Sequence, residues 1–269
     1  MPELNPSAIL LEDRVALVTG AAAGIGAATA TMLARFGCDV AICDRDLEGL
    51  AATTREIESV GRRAFAEIID VRDHDAVELW VASSVAALGR LDIVVNNAGG
   101  GFVSDFLDLT TNGQAALLAE NFTSVTSVIR AAVPHLPEGG SIVNVTSIEA
   151  HRAAPGFAVY ASMKAAVLSL TRSLSLELSP RGIRVNCVAP DVIPTPGVGM
   201  LEAARSGATA RGEALQPSSL DGHPDDVAAA IVWLAGGMAR FVTGTTVHVD
   251  GGTSAAAGWK RRTDGAWAL

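Results

Sequence analysis

The sequence predicts an α/β domain built on one doubly wound sheet of seven parallel strands, with helices on both faces. Three observations lead there. Short β-branched runs alternate with longer Ala/Leu-rich stretches, as βα units do when helices cover both faces of a parallel sheet. Most intervening segments have room for a crossover helix, and no two strand candidates are joined by a hairpin turn of the Asn-Gly kind. At 269 residues the chain can bury the core of one large domain, so a single domain over residues 1–269 is the economical organisation.

The first strand, "VALVT" (15–19), runs straight into "TGAAAGIG" (19–26), which opens a helix with apolar periodicity through "IGAATATMLARFG". Gly20, Gly24 and Gly26 allow a tight turn and a close approach of backbone to a pyrophosphate at the positive end of that helix. A plain glycine turn is the simpler alternative, but the flanking strand and helix favour a dinucleotide, and no Gly-Lys-Ser/Thr points to a nucleoside triphosphate. The second strand, "DVAIC" (39–43), leads to Asp44, where a dinucleotide-binding Rossmann fold places the carboxylate that holds the adenosine ribose hydroxyls. An acid there repels a 2′-phosphate and favours NAD over NADP, whereas the guanidinium of Arg45 could accommodate that phosphate. Both residues also read as an ordinary polar strand terminus.

The remaining strand candidates are "RAFAEII" (63–69), "LDIVVNN" (91–97), "GSIVNVTS" (140–147), "IRVNCVA" (183–189) and "TTVHVDG" (245–251). Between the last two, "PDVIPTPGVG" leads into an Ala/Gly/Ser-rich stretch, and the whole segment 191–219 is expected to be a substrate-binding loop or lid. The tail 254–269 carries Trp259, Trp267 and a "KRR" cluster, which suggests docking on a neighbouring subunit rather than a flexible end.

Composition narrows the function. A net charge of −9 with no basic patch argues against nucleic acid. No apolar run approaches the ~18 to 20 residues of a membrane span, and the acidic, proline-containing N-terminus does not resemble a secretory signal, so a cytoplasmic location is expected. Cys38, Cys43 and Cys187 lack metal-site or CxxC spacing and read as small buried residues; no metal is assigned. One feature stands out: "YASMK" (160–164) holds the chain's single tyrosine and one of its two lysines.

With these motifs in order, the sequence resembles the short-chain dehydrogenase/reductase family from about Val15 to Gly252. "TGAAAGIG" is similar to that family's TGxxxGxG cofactor loop, "NNAG" (96–99) to its motif after the fourth strand, "YASMK" to its YxxxK signature and "DGG" (250–252) to its ending. The resemblance implies cofactor contacts from Gly20, Ala23, Gly24, Ile25, Gly26, Asp44 and Arg45, with Asp70 and Val71 at the adenine and Asn97, Ala98 and Gly99 as a pocket wall. It implies that Pro190, Ile193 and Thr195 lie near the carboxamide, that Ser147 is the catalytic serine, and that Asn121 keeps a water in a proton relay. It also implies a homotetramer, with "HPDDVAAAIVWLAGG" (223–237) packing between subunits.

Hydride transfer to or from a secondary alcohol needs a group that takes or gives the hydroxyl proton. Tyr160 fits if its acidity is raised from the ordinary pKa of ~10, and Lys164, four residues on along a helix, shares its face and favours the phenolate. Tyr160 and Lys164 are also implied cofactor contacts, Lys164 bonding the nicotinamide ribose, a task for which arginine's planar fork is poorly shaped. Ser147 would hold the substrate oxygen as charge develops; its simpler role is a strand-end turn cap.

One departure concerns the residue after Pro190, where the family usually has glycine and this chain has Asp191. The substrate pocket is expected from "IEAHRAAPGF" (148–157) and the loop after Asp191, which offers Val192, Val198, Met200 and Leu201 with few charges beyond Glu202, Arg205, Arg211 and Glu213. An apolar or alicyclic alcohol suits it, with Glu149 and His151 as candidate readers of a polar group. Three functions remain: an NAD-dependent alcohol dehydrogenase or ketone reductase; an NADPH-dependent 3-oxoacyl-thioester reductase; and a non-catalytic dinucleotide-binding protein.

Overall fold

The inner strands of the sheet are buried at successive positions because both faces are covered. In β1 (Val15–Thr19) all five residues are buried, Ala16 and Val18 facing one core and Val15 and Leu17 the other. The computed structural model describes residues 4–195 and 207–268. Its seven main strands are β1, β2 (Asp39–Asp44), β3 (Ala64–Ile68), β4 (Ile93–Asn96), β5 (Ser141–Val145), β6 (Arg184–Pro190) and β7 (Thr246–Val249). They pair in parallel, as the sequence predicts, and their order is β3-β2-β1-β4-β5-β6-β7.

Helices α1 (Gly24–Arg35), α2 (Leu47–Ser59) and α7 (Pro224–Ala235) cover one face, where Leu33, Leu50, Ile57 and Ile231 join the core. On the other face lie α3 (His74–Leu88), α5 (Ser124–Ala132) and α6 (Ala158–Glu177), contributing Trp80, Ile129 and Val167. A short α4 (Thr111–Leu118) runs through a π-helical turn, Ala119–Thr123, into α5. Asp46 and Asp73 accept backbone N–H groups at the starts of α2 and α3. All three cysteines are buried free thiols, and burial pushes Cys38 up to about 12 and Cys187 up to about 11. Among the described residues, no helix is long and apolar enough to cross a membrane.

The tail holds structure that the reading of the sequence did not assign. After α8 (Thr253–Ala256) it forms an antiparallel pair, β8 (Lys260–Arg261) with β9 (Trp267–Ala268). The turn signal was Asp264-Gly265: Gly265 takes φ 87° and its N–H reaches Arg262 O at 3.0 Å. This hairpin holds the segment before α7, with Ala214 N donating to Arg261 O at 2.7 Å and Thr263 N to Gly212 O at 3.0 Å.

Candidate active site

The strand order reverses between β1 and β4, and in an open α/β sheet the carboxyl ends of strands at such a point frame a crevice. A cleft of about 690 Å³ opens there. Its walls include Gly20, Ala23, Gly24, Ile25, Asp44, Arg45, Asp70, Val71, Asn97, Ala98 and Gly99 at one end, and Ser147, Tyr160, Lys164, Pro190, Ile193 and Thr195 at the other. Of the residues that the family resemblance singled out for the site, Gly26 and Asn121 lie just behind this surface.

The glycine loop is packed to its limit. A Cβ on Gly26 would stand 2.0 Å from Gly20 O, and one on Gly20, whose φ is +66°, would stand 2.8 Å from Ala98 Cα. Asn97 sets this closeness, its Nδ2 donating to Thr19 O at 3.1 Å and Gly20 O at 2.9 Å. The first residue of α1 follows Ala23, which provides no side-chain cap, so the leading N–H groups and the positive helix end are open to an anion in the cleft. Asp44 hangs from β2 with Oδ2 accepting from Ala22 N at 3.1 Å and Oδ1 from Arg45 N at 2.7 Å, so its carboxylate is fixed by backbone beside the loop. These features fit a dinucleotide: an uncapped helix end for pyrophosphate and an anchored carboxylate for ribose. The Arg45 guanidinium stands 4.0 Å from Asp70 Oδ2 and 3.8 Å from Glu120 Oε1. Asp70 is held by Arg72, whose guanidinium lowers the carboxyl to about 2.

At the other end, α6 presents Tyr160 and Lys164 one turn apart towards β5. Lys164 is 4 % exposed, and its Nζ donates to Val145 O at 3.1 Å. Ser147 Oγ accepts from Glu149 N at 3.2 Å and lies beside the Tyr160 phenol, so its turn-capping role and its place at the phenol coexist. Asn121 is fully buried on the π-helical turn, and its amide grips the loop after β4: Nδ2 donates to Gly100 O at 2.8 Å and Oδ1 accepts from Gly100 N at 3.2 Å. Asn121 and Lys164 flank Gly99, where a Cβ would meet Asn121 Oδ1 at 2.8 Å and Lys164 Nζ at 3.0 Å.

The electrostatics differ from the sequence expectation in one respect. Lys164 is expected to ease ionisation of Tyr160, but burial raises the phenol, the Ser147 hydrogen bond opposes that and Glu149 reinforces it. The reason is geometric. The ammonium stands 5.6 Å over the ring centroid and bonds the Val145 carbonyl, so it meets the π face rather than the hydroxyl. Burial pushes Lys164 itself down from 10.5 to about 8, with Glu120 opposing. Unfolded lysine keeps the higher value, so between about pH 8 and 10.5 the unfolded chain binds more protons and folding stability rises with pH. Urea unfolding of the native chain and Lys164→Met is expected to show the difference moving in favour of the native chain across that window; a flat difference contradicts it.

Asp191 takes its place without left-handed backbone, so a glycine is not required there. Its N–H donates to Val249 O at 3.3 Å. Of the expected pocket residues, Val192, Glu149 and Phe157 line the cleft. Arg211 and Glu213 do not: they pair with each other at 3.0 Å on the segment held by the tail. His151 turns to His248, ring centroids 4.6 Å apart. Val198, Met200, Leu201, Glu202 and Arg205 lie outside the described residues. Sequence reasoning missed Gly100, Gly101 and Glu120 in the cleft. The run of three glycines after Ala98 was the available signal, since a Cβ on Gly101 would press on Tyr160 Cδ2 at 3.0 Å.

Comparison with known proteins agrees with this geometry. The family profile described as enoyl-(acyl carrier protein) reductase, of the adh_short_C2 group, matches residues 20–254. An uncharacterised oxidoreductase of Mycobacterium tuberculosis is 39% identical over 245 residues, 90% of this chain and 92% of that protein. Among solved structures, a short-chain dehydrogenase of Burkholderia cenocepacia in complex with NADP is 38% identical, with a TM-score of 0.83, covering 90% of this chain and 98% of that one. A carveol dehydrogenase of Mycobacterium avium in complex with NAD is 30% identical, with a TM-score of 0.83 and the same coverage.

Proposed function

The chain belongs to the short-chain dehydrogenase/reductase family of oxidoreductases, and on that premise we propose that it transfers hydride between NAD(H) and a secondary alcohol or its ketone, with an apolar or alicyclic skeleton. The observation that carries this reading is the convergence, in one cleft, of Ser147, Tyr160 and Lys164 at one end with Asp44 and the uncapped start of α1 at the other.

A bound nicotinamide dinucleotide supplies the hydride acceptor or donor. The chain's own residues do the rest. Ser147 hydrogen-bonds the reacting oxygen, and Tyr160 gives its proton to that oxygen as a ketone is reduced, burial favouring the protonated phenol; in the reverse direction the phenol first releases its proton to solvent and its phenolate takes the proton of the alcohol. Lys164, on the inner wall, presents donors to the nicotinamide ribose, and Asn121 fixes the Gly100 segment between the two. The related carveol dehydrogenase supports an alcohol substrate.

Choice of cofactor rests on Asp44. NAD is expected to bind more tightly than NADP because the anchored carboxylate repels a 2′-phosphate, while Arg45 is turned towards Asp70 and Glu120. In Asp44→Ser the ratio of NADPH to NADH affinity is expected to rise by about tenfold or more, read by quenching of reduced-cofactor fluorescence. Tighter NADPH binding by the native chain contradicts the assignment and favours the second reading, an NADPH-dependent 3-oxoacyl-thioester reductase, which a 3-oxoacyl-[acyl-carrier-protein] reductase of Thermotoga maritima, 36% identical over 245 residues, supports.

We expect a homotetramer. Strand β7 is a sheet edge, and Leu176 and Phe241 are exposed by 73% and 101%. Sedimentation equilibrium should give a particle of four chains; a monomer at micromolar concentration contradicts this.

A further inference from the structure

The wall of the cleft beside Ser147 and Tyr160 is charged. Glu149 and Asp191 both line it, and Arg152 joins them, its Nη2 2.8 Å from Glu149 Oε1 and 3.8 Å from Asp191 Oδ1. The guanidinium is bidentate on Glu149 alone, with Nε 3.3 Å from Oε2. Asp191 is the more buried of the two acids, its side chain 9% exposed against 22% for Glu149. The Thr253 hydroxyl at the start of α8 lies beside it and donates to Asp250 O at 2.9 Å.

Two carboxylates therefore share one guanidinium, and this wall carries a net negative charge. The neighbouring charges do not cancel it. Lys164 is fixed on Val145 O and faces Tyr160. Asp250 adds a further acid, its carboxylate held by the N–H groups of Gly252 at 2.9 Å and Ser254 at 2.8 Å. A carboxylate has about four acceptor sites, and Asp191, with one long ion pair to Arg152, retains capacity towards the cleft.

Resting on the reading of this cleft as a secondary-alcohol site, we infer that Asp191, with Glu149, determines specificity among alcohols. It accepts a hydrogen bond from a second hydroxyl or an amino group on the substrate skeleton and repels a skeleton that carries a carboxylate. The apolar substrate expected from sequence thus acquires a second feature, a donor placed away from the reacting carbon. A substrate carboxylate brought within several ångströms of Asp191 in this half-enclosed setting should lose about tenfold or more in affinity.

The test uses three alcohols on one ring: cyclohexanol, a cyclohexanediol and a hydroxycyclohexanecarboxylate. Each is measured by kcat/KM with NAD and by saturation-transfer NMR binding to the NADH-loaded protein. In the native chain the diol is expected to exceed the carboxylate by about tenfold or more, and in Asp191→Asn that ratio should fall by about fivefold or more. Asp191→Gly guards against misfolding of the first variant and should lower the ratio equally. Unchanged ratios in both variants, with turnover intact, overturn the inference alone. If the native chain binds NADH but neither binds nor oxidises any of the three, the secondary-alcohol reading falls, and the inference with it.

Discussion

Tyr160→Phe is expected to lower kcat/KM by about 10³-fold, within the 10²–10⁴ range of a positioned acid–base group and equivalent to about 4 kcal/mol in the barrier. The change removes one oxygen and keeps the ring that packs edge-on against Phe157, centroids 6.1 Å apart, and against the backbone of Gly101. Ser147 still has Glu149 N as a partner, so no buried hydroxyl is orphaned. Unfolding midpoint and NADH affinity should therefore stay close to native. This combination separates a chemical role from a structural one. A large loss of NADH affinity would mean that Tyr160 serves the cofactor rather than the proton; turnover near native would remove it from the mechanism.

The second large effect is expected at Gly26→Ala. The added carbon would lie 2.0 Å from Gly20 O and 2.5 Å from Asn97 Nδ2, and both neighbours are locked to each other by the 2.9 Å bond between them. Neither is the free end of a flexible side chain, so relief requires the loop after β1 to move away from the start of α1. Overpacking of this kind costs about 1–3 kcal/mol. Here the same shift spoils the anion-binding end of the helix, so NADH affinity should fall by about tenfold or more along with the unfolding midpoint. Gly61→Ala is the control: its φ of +79° imposes strain, but a Cβ there meets nothing within 4 Å, so stability alone should fall. Native NADH affinity in Gly26→Ala would contradict the account of the loop.

What was legible in the sequence follows from how local each determinant is. The seven sheet strands could be read because each is a short β-branched run with its own punctuation, and the glycine loop because Gly20, Gly24 and Gly26 sit between a strand and a helix. Tyr160 and Lys164 were legible as a pair because one helical turn places them on one face. Long-range geometry was not. That Lys164 would face the ring of Tyr160 and bond Val145 O depends on where β5 meets α6. Arg152 reaching both Glu149 and Asp191 depends on β5 and β6 being neighbours and on their loops converging. The tail hairpin was missed for a different reason. Its strands are two residues each, too short to show a period, so only the Asp264-Gly265 turn marks them.

Fold, cofactor and chemistry meet in one experiment. The native chain is incubated with NAD and a panel of secondary alcohols, cyclic and acyclic, and the absorbance of reduced cofactor is followed, with Tyr160→Phe run alongside. Reduction of NAD by at least one alcohol, lost in the variant although NADH still binds, is the result predicted from Ser147, Tyr160 and Lys164 sharing a cleft with Asp44. Binding of NADH without reduction of NAD or NADP by any alcohol, or reduction that survives in Tyr160→Phe, would contradict it.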